Sequence, residues 1–197
     1  MNNTIQYYNN NANEYFDSTS QVNLEELYDK FLSYIPAGGS IMDLGCGSGR
    51  DVKWFRDHGY DAYGLDASEK LVSIACRKLQ IPIELGIIEE WVAEEPVDGI
   101  WCCASIMHLD EKAVEQFFSN LKHNLKSSGV LFMSVKSGIE TGIDRYGRYL
   151  RDFEERDIHE LLARHQQLEL KELWYTEDKL SRDTFKWLNT LIEKIYQ

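Results

Sequence analysis

Ser40-Ile41-Met42-Asp43-Leu44-Gly45-Cys46-Gly47-Ser48-Gly49-Arg50-Asp51 is the stretch whose reading decides the fold. An apolar run enters it, three alternate glycines bend it, and a helical pattern of Val52, Trp54 and Phe55 leaves it. That order reads as strand, tight turn, helix. Glycine turns the backbone at positive φ and lets a ligand lie directly on the main chain. The helix that follows opens with free N–H groups and a partial positive charge, which suit an anionic group. The spacing departs from the dinucleotide fingerprint G-x-G-x-x-G, because Arg50 stands where the third glycine would fall and Asp43 precedes the first.

Outward from this loop, strands and helices alternate. Upstream, Val22, Leu24, Leu27, Phe31 and Ile35 recur at helical spacing until Pro36-Ala37-Gly38-Gly39 ends the helix. Downstream, the loop leads into a helix over 49–57, then a strand from Asp61 that ends at Asp66, then a helix with Leu71, Val72, Ile74, Ala75 and Leu79 on one face. Residues 81–85 read as a third strand, with Pro82 placing it at a sheet edge. Residues 87–91 turn helically, 98–104 are apolar enough for a central strand, and 111–126 form a helix. Ser127-Ser128-Gly129 turns into a fifth strand over 130–135, and a long polar loop follows it. A helix over 157–165 and a strand over 168–175 come next, while 185–195 fits either period. The alternation predicts an α/β domain, doubly wound, with a mainly parallel sheet and helices on both faces. With no repeat and no linker, residues 1–197 read as one domain. Residues 1–20 are rich in Asn yet carry Tyr7, Tyr8, Tyr15 and Phe16, too many aromatics for a solvated tail, so they are expected to fold as a lid over a ligand.

Composition narrows the function classes. The formal charge of −12 opposes nucleic acid phosphates. No apolar run has the length of a membrane span, and the N-terminus lacks a signal peptide pattern, so the expected compartment is the cytoplasm. Cys46, Cys76, Cys102 and Cys103 match no zinc spacing, and no metal site is expected.

Five segments together resemble a known family: residues 45–51, Gly64-Leu65-Asp66-Ala67-Ser68, residues 98–105, Gly147-Arg148-Tyr149 and Trp187-Leu188-Asn189. They look like the class I S-adenosylmethionine (SAM) dependent methyltransferases, and among them the group related to tellurite-resistance proteins. The resemblance implies SAM as cofactor, S-adenosylhomocysteine (SAH) as product, and a Rossmann-like sheet of seven strands in which 185–195 is the last, antiparallel one.

It also gives roles to residues. Asp66, at the end of the second strand, would hold the ribose hydroxyls. Gly45, Cys46, Gly47, Gly49 and Arg50 would lie against the amino acid end of SAM, with Asp43 under the loop attracting its ammonium. Ala67 follows Asp66 in the same segment. Ile88 and Glu89 are candidates for the adenine pocket, one as apolar wall and one as acceptor for the amine. Ala104 is small enough to let backbone approach the cofactor. Tyr7, Tyr8 and Tyr15, from the lid, could face the sulfonium. His108 is a candidate general base or a structural histidine. Tyr8, Lys136, Arg145, Tyr146 and Arg148 are candidates for the acceptor, which the basic and aromatic side chains would suit if it were anionic or planar. A small-molecule acceptor is expected. The alternatives are a macromolecular methyltransferase and a SAM-binding protein without turnover, while Arg50 disfavours a NAD-dependent enzyme.

Overall fold

The computed structural model describes residues 2–179 and 185–195. Met1, the first residue of the expected lid, lies outside them. The central strands are β1 (Ser40–Leu44), β2 (Asp61–Asp66), β3 (Ile83–Leu85), β4 (Val97–Cys103) and β5 (Leu125–Ser137), all paired in parallel. Two long strands, β8 (Leu168–Glu177) and β9 (Lys186–Lys194), finish the sheet, with β9 antiparallel to β5 and β8 antiparallel to β9. The order is β3-β2-β1-β4-β5-β9-β8, seven strands in all. The strand order reverses between β1 and β4, and in such sheets a ligand crevice opens beyond the carboxyl ends of those strands.

Helices cover both faces, and strand geometry explains how. Successive side chains on a strand point to opposite sides. On β4, Ile100 and Cys102 join Phe117, Phe118 and Leu121 of α6 (Glu111–Asn124) and Ile158 and Leu161 of α7 (Glu155–Arg164). Trp101, between them, joins Tyr28 and Phe31 of α3 (Glu25–Leu32) and Val52 and Phe55 of α4 (Arg50–Asp57). Trp101 is fully buried and stacks on Phe132 with 4.0 Å between centroids. The remaining helices are α1 (Asn2–Asn10), α2 (Ala12–Thr19) and α5 (Glu69–Leu79). Ala12 and Phe16 of α2 pack on Leu71, Ile74 and Ala75 of α5, so the N-terminal segment is anchored. Among the described residues no helix is long and apolar enough to cross a membrane.

Residues 185–195, ambiguous by period, contain β9, the antiparallel strand that the resemblance implies, because pairing on both sides outweighs a local pattern that fits helix equally well. Two sequence expectations change. The turn expected at Ser127-Ser128-Gly129 lies within β5, where the pairing with β4 shifts register between Val97 and Gly99 and Ser128 sits at φ 59°. The loop after β5 is not featureless. It folds back as a hairpin of β6 (Gly142–Ile143) and β7 (Tyr149–Leu150).

Candidate active site

The glycine loop is pinned to β2. The backbone N–H groups of Gly45 and Cys46 both donate to the Leu65 carbonyl, at 2.7 and 3.1 Å. Gly45 has φ 80°, and a Cβ there would stand 2.4 Å from the Ser105 Cβ, so only glycine lets β1 and β4 meet this closely. Gly47 N–H donates to Asp66 Oδ2 at 2.8 Å, and Ser68 N–H donates to Oδ1 at 2.8 Å. Burial pushes the Asp66 carboxyl up, and these two N–H groups pull it back. The Ser68 side chain in turn caps α5 and donates to Asn9 Oδ1 of α1 at 2.8 Å, which ties the N-terminal segment to the loop region.

Behind the loop sits a second carboxylate with a full set of partners. Arg50 Nε and Nη2 reach Asp51 at 2.6 and 2.8 Å, Trp101 Nε1 donates to it at 2.9 Å, and the Tyr28 hydroxyl donates to it as well. Burial alone would raise the Asp51 carboxyl, but the Arg50 charge and these hydrogen bonds outweigh it and hold the group low. Asp43 differs. It is 1% exposed, its Oδ2 has no hydrogen-bond partner among the described residues, and burial together with the nearby Asp51 raises it well above the usual carboxylate range. It lies under the loop but lines neither cavity described below. Asp43 thus sits beneath the loop, as expected, in a buried environment shared with the paired Asp51.

Two cavities open at the carboxyl ends of β1 and β4. The smaller, of about 90 Å³, is lined by Asp66, Ala67, Ile88, Glu89 and His108 among others. The larger, of about 430 Å³, is lined by Tyr7, Cys46, Arg50, Lys136, Arg145, Tyr146 and Arg148 among others. Tyr8, Tyr15, Gly45 and Ala104 line both, so the two spaces meet at these four residues. Ala104 takes φ 60° directly after β4, a left-handed conformation, and Ser105, His108 and Leu109 after it line the smaller cavity. Glu89 Oε2 is buried without a hydrogen-bond partner among the described residues, and burial raises its carboxyl.

A sequence model of the methyltransferase domain family matches residues 16–177. The chain belongs to that family. Its relatives include the YqeM protein of Bacillus subtilis, described as a methyltransferase, at 28% identity over 124 residues, which are 57% of this chain and 50% of that protein. The chain thus spans half the length of that curated relative. Among solved structures, the 1,6-didemethyltoxoflavin N1-methyltransferase of Burkholderia thailandensis, crystallised with its substrate and SAH, is 17% identical with a TM-score of 0.69, covering 98% of this chain and 88% of that one. A TehB-like SAM-dependent methyltransferase of Corynebacterium glutamicum is 21% identical with a TM-score of 0.68, covering 90% and 91%. The methyltransferase domain here therefore has the fold of SAM-dependent members.

Within this methyltransferase domain, most of the residues singled out from sequence converge on the two cavities. Gly49 does not. It caps α4 at φ 73°, and a Cβ there would meet Ile81 Cδ1 at 2.7 Å, so its glycine serves packing of helix against strand. His108 lines only the smaller cavity, and both ring nitrogens are engaged. Nδ1 lies 2.8 Å from the Tyr149 carbonyl and Nε2 2.8 Å from the Tyr8 hydroxyl. A carbonyl only accepts, so Nδ1 carries the hydrogen and Nε2 accepts from Tyr8. Tyr8, which lines both cavities, links His108 to the larger one. Sequence reading missed Ser68 and Asn9, which clamp the N-terminal segment, and Met107 and Ser134 on the larger cavity. Ser68 had a signal as a helix cap before Glu69; Asn9 had none.

Burial pushes His108 down to about 4. Between its ordinary value near 6.5 and about pH 5, the unfolded chain binds the proton and the native state does not. Stability is thus expected to fall as pH falls through that window, by about 2 kcal/mol at this site. Urea denaturation of the wild type and His108→Gln at both pH values measures it. The acid loss should shrink in the variant, and an equal loss in both proteins would place its origin elsewhere.

Proposed function

We propose that this chain is a SAM-dependent methyltransferase acting on a small molecule. One observation carries the reading: two cavities of different character meet over the glycine loop, at Tyr8, Tyr15, Gly45 and Ala104. The smaller suits adenosine. Asp66 would accept from the ribose hydroxyls, Ile88 would face the adenine, and the unpartnered Glu89 Oε2 would accept from its amine. Ala67 completes that wall. The amino acid end would run over Gly45, Cys46 and Gly47 toward Arg50, whose guanidinium offers its carboxylate a charge. Tyr8 and Tyr15 would then flank the sulfonium with α1 and α2 as a lid.

The acceptor would enter the larger cavity. Its lone pair attacks the methyl carbon, the carbon–sulfur bond breaks, and the sulfonium becomes the neutral thioether of SAH. Holding the two reactants in line is worth about 7–11 kcal/mol in well-oriented systems. Burial holds His108 neutral, so it and Tyr8 would orient the acceptor, and a soft acceptor such as a thiolate, which needs little base help, would suit the site best. The toxoflavin enzyme's small heterocyclic substrate supports this acceptor class. The tellurite-resistance group rests on one neighbour at 21% identity, and the proposal names no tellurium chemistry.

Calorimetry with SAH and with NAD tests the cofactor, and SAH is expected to bind where NAD does not. Absence of SAH binding would sink the proposal. SAH release on adding the low-mass fraction of a cell extract, rather than its protein or RNA, is the expected sign of a small acceptor. SAH release with the protein or RNA fraction alone would favour a macromolecular substrate.

A further inference from the structure

We infer that the acceptor is a flat molecule carrying an anionic group, and that Arg148 selects it. The inference rests on the two-cavity reading above and names its substrate class. The β6–β7 hairpin is organised around Arg148. Asp144 Oδ1 accepts from the backbone N–H groups of Tyr146 and Arg148, both at 2.9 Å, and Oδ2 accepts from Arg148 Nε and Nη2 at 2.9 and 2.7 Å. The carboxylate thereby ties one edge of the guanidinium to the turn that bears it. The other edge, Nη1, lies 3.5 Å from the Tyr8 hydroxyl, at the junction of the two cavities. An arginine has five N–H donors, and Asp144 engages the Nε and Nη2 side, so Nη1 has donors to offer a ligand.

Aromatic rings surround this edge. The guanidinium carbon is 4.8 Å from the Tyr7 ring centre, 5.4 Å from that of Tyr146 and 6.0 Å from that of Tyr8. Arg145 lies 4.8 Å over Tyr146, and Lys136 lines the same cavity from the end of β5. The cavity has acidic residues too: Asp51, paired with Arg50, and Glu14, Glu26, Glu177 and Asp178. The last four come from α2, α3 and the end of β8, whereas Lys136 comes from β5, and Arg145 and Arg148 from the hairpin, with Arg148 beside Tyr8. A guanidinium fixed in plane, with tyrosine rings about it, matches a carboxylate or similar anion on a conjugated ring. The sulfonium would add a further positive charge on the same side.

Benzoate, benzamide, benzylamine and acetate are the probes, titrated into SAH-loaded protein by calorimetry and ligand-observed NMR. Benzoate is expected to bind at least tenfold tighter than each of the others. Arg148→Gln should lower benzoate affinity about tenfold and leave SAH affinity within twofold. Arg145→Gln, in an exposed turn position, is the second variant should the first disturb the fold, and it should lower benzoate affinity several-fold. Equal binding of benzamide or benzylamine, no binding of benzoate, or benzoate affinity unchanged in the folded variants would each overturn the inference. An equal fall in SAH affinity in Arg148→Gln would give this arginine to the cofactor and overturn it as well. If SAH itself fails to bind, the cofactor reading is lost, and the same titration on the protein alone still reads the anion preference.

Discussion

Asp51→Ala is expected to destabilise the fold by about 3–5 kcal/mol, because it removes one partner of a buried ion pair and leaves the other uncompensated. Arg50 would keep its charge in a region where its side chain is 19% exposed. The Trp101 indole N–H and the Tyr28 hydroxyl, now bonded to Asp51, would lose their acceptor too. These two residues belong to α3 and β4, so the loss reaches the packing of the helical layer on the sheet and not only the loop. Asp51→Asn keeps the shape and one acceptor, and should cost less. Urea denaturation of both variants measures the effect. A loss under about 1 kcal/mol for Asp51→Ala would mean that the pair contributes as little as an exposed one.

The second large effect is on ligand affinity. Asp66→Ala should weaken SAM or SAH binding by about 3 kcal/mol, roughly a hundredfold, from lost charge-assisted hydrogen bonds and two orphaned N–H groups. The carboxylate holds Gly47 N–H and Ser68 N–H, so it shapes the loop before any ligand arrives. Asp66→Asn retains one oxygen and should lose less. Calorimetry decides: a dissociation constant within twofold of wild type, in a variant that melts normally, removes Asp66 from the ribose position.

Much of the site is legible in sequence for a local reason. Asp43, the three glycines, Arg50 and Asp51 are neighbours along the chain, and a strand–turn–helix unit fixes where each points. Asp66 is legible because the next strand must end beside that turn in a parallel sheet. Ile88 and Glu89 follow from the third strand by the same logic. What the sequence leaves open is of another kind. How deeply Asp43 is buried depends on the packing of the whole sheet around the loop. Gly49 looks like a ligand-contacting glycine until Ile81 packs against it. His108 reads in sequence as a base or a structural histidine, and only the fold supplies its partners, the Tyr149 carbonyl and the Tyr8 hydroxyl, from distant segments.

The chain's order of apolar runs and glycines by itself determined a doubly wound α/β sheet, its crevice and the loop that floors it, because hydrophobic period and turn chemistry act over a few residues. Only the tertiary structure decided that 185–195 pairs as a strand, that the loop after β5 closes on Asp144 to aim Arg148, and that Tyr8 sits between His108 and the larger cavity. Those outcomes come from contacts between segments far apart in the chain, where burial and partner geometry rather than local preference set the energy.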